Sequence, residues 1–149
     1  VSFVSNASEV KKPIEVKIVT DIRDGHRKET TSVNAKGMYY EKGSKIYLTY
    51  TERQEEIGDI RTMVKISEDE VSINRTGAVQ MKQSFRKKVQ IEGTYISPYG
   101  RMDLLTFAHN IEYKQMTQKG RLFLTYDLEV QGQPTGKYAL TITFKEEKK

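Results

Sequence analysis

Apolar and polar residues alternate with period two along most of this chain, and the segment from Val71 to Phe85 shows both the rule and its exceptions. Val71 and Ile73 share a phase with Arg75, and Val79, Met81 and Phe85 share one with Gln83. A strand turns every second side chain to one face, so this pattern predicts Arg75 and Gln83 on a face otherwise given to the core. A three-residue loop of Thr76, Gly77 and Ala78 is predicted to join the two strands, pairing Arg75 with Val79, Ile73 with Met81 and Val71 with Gln83. That register keeps every apolar residue inward and puts Arg75 at a rim, with Gln83 roughly 13 Å away along the hairpin.

The same period appears on both sides of this hairpin. Ile14, Val16, Ile18, Thr20 and Ile22 form one phase, and Asp24-Gly25 predicts a type I′ turn into a polar, threonine-rich strand over His26 to Ala35. Ile46, Leu48 and Tyr50 follow the turn Glu41-Lys42-Gly43-Ser44. Thr62, Val64 and Ile66 lie between a charged tip at Arg53 to Gly58 and a turn at Ser67-Glu68-Asp69. Their β-branched and aromatic content favours strands.

Val89, Ile91, Gly93 and Tyr95 run to a stop at Ser97-Pro98-Tyr99-Gly100. From Arg101 to Tyr113 apolar residues occupy both phases, which requires either a bulge or a partner over the outer face. Leu122, Leu124, Tyr126, Leu128 and Val130 alternate without interruption after Lys119-Gly120. Gly132-Gln133-Pro134-Thr135-Gly136 then turns the chain into Tyr138, Leu140, Ile142 and Phe144.

No apolar 3.6-residue period persists long enough for a long helix. About eight to ten strands with a turn signal per dozen residues predict an all-β protein, and sequential hairpins favour a single antiparallel up-and-down barrel whose closure removes exposed edges. The barrel is expected over residues 13–145. Residues 1–12 are expected to form a flexible N-terminal segment, with a processed end suggested by the initial valine, and 146–149 a charged, frayed tail.

The 149 residues suit one domain with a real hydrophobic core. There is no cysteine, which excludes disulfides and thiol catalysis and fits a cytoplasmic protein. No apolar run approaches the ~20 residues of a membrane span. The formal charge of +5 is spread among interleaved acids and bases and points only weakly to an anionic partner.

Several segments carry a family resemblance: Gly37-Met38-Tyr39-Tyr40, Ile46-Tyr47-Leu48-Thr49-Tyr50, Arg75-Thr76-Gly77-Ala78-Val79, Tyr95-Ile96-Ser97-Pro98-Tyr99-Gly100, and Tyr126-Asp127-Leu128 with Leu140-Thr141-Ile142. In this order, from about Ile14 to Phe144, the chain resembles the YwiB-like family of small bacterial proteins. The resemblance implies a calycin-like (lipocalin-type) barrel in a Firmicute-type cytoplasmic protein. It implies no activity, since the family is a domain of unknown function without assigned catalytic residues.

Chemistry-bearing motifs are scarce. His26 and His109 are the only histidines, His26 reading as a solvated turn residue and His109 as a hydrogen-bonded structural one, so no metal site or cofactor is expected. A nucleophile elbow and a glycine-rich phosphate loop are both missing, and the carboxylates read as a solvated face, so no enzyme is expected. Arg86-Lys87-Lys88 raises the possibility of nucleic-acid binding, but consecutive strand residues point to alternate sides, which favours a charged turn. Leu105 and Phe107 on an outer phase would suit a homodimer.

The inward phases remain. Tyr50, Thr62, Tyr95, Thr106, Tyr126 and Tyr138 lie in phase with aliphatic residues, alongside Arg75 and Gln83. A buried guanidinium costs several kcal/mol unless a carboxylate, hydroxyls, water or an anionic ligand meets it. One reading is a non-catalytic binding barrel for a small polar or anionic-amphipathic ligand, with Arg75 as anchor, Gln83 as hydrogen-bonding partner and Tyr50, Tyr95, Tyr126 and Tyr138 as walls. The other is that the tyrosines fill the barrel while Arg75 pairs with a glutamate at its rim.

Overall fold

The computed structural model describes residues 10–147 and consists of ten antiparallel strands. They are β1 (Val10–Asp24), β2 (Arg27–Lys42), β3 (Lys45–Gln54), β4 (Gly58–Ile66), β5 (Val71–Gly77), β6 (Gln80–Phe85), β7 (Gln90–Ser97), β8 (Gly100–Met116), β9 (Lys119–Val130) and β10 (Gln133–Glu146). Each strand pairs with the next, and β10 pairs with β1 over Ile14↔Glu146 to Arg23↔Lys137, which closes the barrel. Closure gives every strand two neighbours, although residues 27–36 of β2 pair with β1 alone. The alternation read from the sequence supplies the inner face: Ile14, Val16, Leu48, Val64, Val71, Phe85, Leu122, Leu124 and Ile142 are all buried.

Several boundaries differ from the sequence reading. β1 begins at Val10, because Val10, Lys11 and Lys12 pair with Glu41, Tyr40 and Tyr39. At the other terminus, Glu147 N–H donates to the Pro13 carbonyl at 3.0 Å. The remainder of the expected flexible start, residues 1–9, and the last two tail residues lie outside the described residues. The first hairpin turns on Gly25 and His26 rather than Asp24-Gly25, and only Gly25 has positive φ (62°), as a type II′ turn requires of its first central residue. The last hairpin turns one residue before the predicted glycine, on Gln131-Gly132, and Gln133 to Gly136 already belong to β10 with an irregularity between Pro134 and Gly136.

The crowded phases of β8 come from a bulge. Register shifts between Ala108 and Asn110, so Leu104, Thr106 and Ala108 face inward before it and Ile111 and Tyr113 after it. Leu105 and Phe107 stay half-exposed on the outer phase.

The Val71 to Phe85 hairpin is offset by two residues from the predicted register. Arg75 lies opposite Met81, Ile73 opposite Gln83 and Val71 opposite Phe85. A shift of two keeps the same side chains inward, so the hydrophobic pattern cannot distinguish the two registers. The neighbouring strand does: β4 pairs Ile60 with Gly77 and the Ala78 amide donates to the Asp59 carbonyl, lengthening the connection.

Candidate functional site

The barrel interior is divided by polarity. Toward the end that carries the β2–β3, β4–β5, β6–β7 and β8–β9 connections it is aliphatic and aromatic, with Ile66, Val71, Phe85, Leu122 and Phe144 buried. Toward the opposite end it turns polar. Register aligns Tyr50, Thr62, Arg75, Met81, Tyr95 and Met102 as one continuous row across β3 to β8. Tyr126 and Tyr138 face each other on β9 and β10 at the same end, their rings stacked at 5.1 Å.

Arg75 stands in the middle of this polar half. Its guanidinium is close enough to the Tyr50 and Tyr126 phenols to favour their ionised forms, and this only partly offsets burial. Burial pushes the Tyr50 phenol up to about 12, and pushes Tyr126 higher still. Among the described residues Arg75 makes no ion pair, and its Nε is buried with no hydrogen-bond partner. The expected ion pair with a rim glutamate is therefore not formed among the described residues. The buried Thr62 hydroxyl faces the Tyr50 phenol and favours its ionised form. An unpartnered buried donor such as the Arg75 Nε is rare and costly.

The other predicted residues have defined roles. Gln83 is buried and its amide donates to the Thr106 hydroxyl at 3.0 Å. It sits two positions from Arg75 along the hairpin, about 7 Å, or half the separation expected from the sequence. Tyr138 shares a hydrogen bond of 3.0 Å with Thr135, whose hydroxyl also reaches the Leu128 carbonyl at 2.9 Å. Tyr95 is half-buried against the core. Tyr50, Tyr95, Tyr126 and Tyr138 thus lie in one region with Arg75, with Gln83 one layer deeper.

Two features escaped sequence reading. Glu52 follows Tyr50 in the inward phase of β3 and is half-buried near its phenol, but it merged with the charged tip that follows. The wall also has a gap, since β2 and β3 pair only from Lys42↔Lys45 up to Gly37↔Tyr50. Beyond that point they diverge, and a cleft of about 740 Å³ opens between Val33 and Asn34 on one side and Thr51 to Ile57 on the other, with the exposed Tyr99 beside it. The gap begins beyond Tyr50 and Glu52 lines the cleft, whereas Arg75, Tyr126 and Tyr138 do not.

The remaining candidates lie elsewhere. His109, in the β8 bulge, hydrogen-bonds Asp127 at 2.9 Å and packs edge-on to Phe107 on the outside of the barrel. His26 is exposed in its turn. Arg86, Lys87 and Lys88 form the exposed β6–β7 connection, where the Lys88 amide donates to the Ala108 carbonyl at 2.8 Å.

Comparison with known proteins agrees with this architecture. The family described as "Domain of unknown function (DUF1934)" matches residues 16–142. The uncharacterized beta-barrel protein YwiB of Bacillus subtilis (strain 168) is 33% identical over 132 residues, covering 89% of this chain and 92% of that protein. The chain belongs to the YwiB-like family. The crystal structure of the ywiB protein from Bacillus subtilis superposes with a TM-score of 0.86 at 31% identity, covering 99% of this chain and 100% of that one. This YwiB-like barrel therefore shares its fold with the solved family member, and the family is described as a domain of unknown function.

Proposed function

We propose that this barrel is a non-catalytic binding protein for a small polar or anionic-amphipathic molecule, taken up through the gap between β2 and β3 and held by its anionic group on Arg75. The unpartnered, buried Arg75 Nε among tyrosines carries this reading. A cation kept without a carboxylate in a low-dielectric site favours an anion far more than one exposed to water does. The Thr62 hydroxyl and the Tyr50 phenol would supply further hydrogen bonds, and Glu52 near the gap would receive the positive end of a zwitterion. Tyr126 and Tyr138 form an aromatic wall, and Gln83, engaged with Thr106, limits the depth of the site.

The test is a thermal-shift and calorimetric screen of short carboxylates, phosphate monoesters, amino acids and fatty acids against the wild type and Arg75→Met. At least one class should raise the melting temperature of the wild type and lose that effect in Arg75→Met. If every hit binds the variant equally well, Arg75 is not the anchor, and a screen without hits removes the binding reading itself.

A further inference from the structure

The outside of the barrel carries a cationic face built from residues far apart in sequence. Outward side chains align by register across five strands. One row runs Asn34, Lys17, Thr143, Arg121 and Lys114 through β2, β1, β10, β9 and β8. The adjacent row runs Lys36, Glu15, Lys145, Lys119 and Met116. Together they border a groove of about 800 Å³ in which Lys17 and Arg121 flank the smaller Thr143.

Most acids in this region are already engaged. Glu15 pairs with Lys145 at 3.5 Å and Glu147 with Lys36 at 3.7 Å. Lys17, Lys114, Lys119 and Arg121 have no carboxylate partner among the described residues, and all four are exposed. Arg121 instead lies over the Phe123 ring, 5.3 Å from its centroid.

We infer that this face binds the phosphate backbone of a single-stranded nucleic acid. Strands spaced at about 4.8 Å put Lys17 and Arg121 about 10 Å apart across Thr143, and the two rows about 7 Å apart along the strands. An extended phosphodiester chain can lie in such a groove and meet successive cations, with the Arg121 and Phe123 pair offering a planar surface for a base. Among the described residues the exposed large apolar side chains are Met63, Val89, Ile96, Tyr99 and Met102, and none lies on this face. Its large apolar side chains, Met116 and Phe123, are only half-exposed and are outnumbered by four unpaired cations, which favours a phosphate backbone over a membrane or a protein partner. The proposal is independent of the interior site, and only Asn34 borders both this groove and the cleft between β2 and β3.

Fluorescence anisotropy with labelled oligo-dT and oligo-U of about 16 nucleotides tests it, comparing the full chain at about 50 and about 200 mM salt. Four unpaired cations, at about 0.7 per neutralised phosphate, give a log–log salt slope of roughly −2 to −3. The triple variant Lys17→Glu/Lys119→Glu/Arg121→Glu should bind more than about tenfold more weakly, while Arg86→Glu/Lys87→Glu in the β6–β7 connection changes affinity by less than about twofold. Circular dichroism and melting confirm folding, and the triple alanine variant at the same positions serves if charge reversal impairs it. Failure of the wild type to bind at low salt overturns the inference, as does equal weakening in the control. So does binding of anionic vesicles, poly-glutamate or a second copy of the chain through these residues when oligonucleotide binding does not need them.

Discussion

The Gln83 side-chain amide donates to the Thr106 hydroxyl at 3.0 Å inside the barrel, where β6 no longer pairs with β7. The β6–β7 ladder covers only Gln80↔Ile96 to Lys82↔Thr94, and this side-chain bond spans the region below it. Both residues are buried, so losing one partner leaves the other unsatisfied. Thr106→Val should cost about 1 to 3 kcal/mol in urea unfolding. The double variant with Gln83→Leu should cost less than the sum of the two single changes, and strict additivity would show that the bond contributes nothing.

Arg75 makes the opposite prediction. An ion-paired structural arginine loses stability on truncation, whereas one that is half-buried and unpartnered imposes a desolvation cost. Arg75→Met should leave unfolding free energy unchanged or raise it by about 1 to 2 kcal/mol, because it removes an unsatisfied buried donor. A loss of similar size would make Arg75 a structural residue.

Alkaline pH should destabilise the barrel. The Tyr50 and Tyr113 phenols are pushed up to about 12 by burial, and Tyr39 and Tyr126 are raised further. Below pH 10 these phenols are protonated in both states. As pH rises through the 10 to 12 window, the unfolded chain releases protons that the folded chain retains, so stability falls, by up to about 1.4 kcal/mol per pH unit for the deeply buried Tyr50 and by less for the partly exposed Tyr113. Tyr50→Phe should make the decline shallower in unfolding measured across this range. Arg75→Met should move the Tyr50 ionisation, followed by phenolate absorbance, to still higher pH, because the guanidinium favours the phenolate.

Gly37 holds the corner where β2 parts from β3. A Cβ there would lie 1.9 Å from the Thr49 carbonyl oxygen and 3.1 Å from the Tyr50 Cβ. The obstacle is backbone and cannot rotate away. Gly37→Ala should therefore cost at least about 3 kcal/mol in thermal or urea unfolding, at the upper end for overpacking. A near-neutral result would mean that the two strands can separate further at this point without loss.

The alternation of Ile14 to Ile22, Ile46 to Tyr50, Leu122 to Val130 and Tyr138 to Phe144 determined that this chain is an all-β meander and which side chains fill it. A period of two records the face of a residue, whichever partner lies across from it. For that reason Arg75, Gln83 and the four tyrosines could be assigned to the interior from the sequence alone. The same period is blind to a register shift of two, so the distance between Arg75 and Gln83 was decided by β4 bonding beyond the hairpin at Gly77 and Ala78. The gap beside Tyr50, the unpartnered Arg75 Nε, and the gathering of Lys17, Lys114, Lys119 and Arg121 on one face depend on how five or more strands curve and close. Those relations are between residues dozens of positions apart, and only the tertiary structure brings them together.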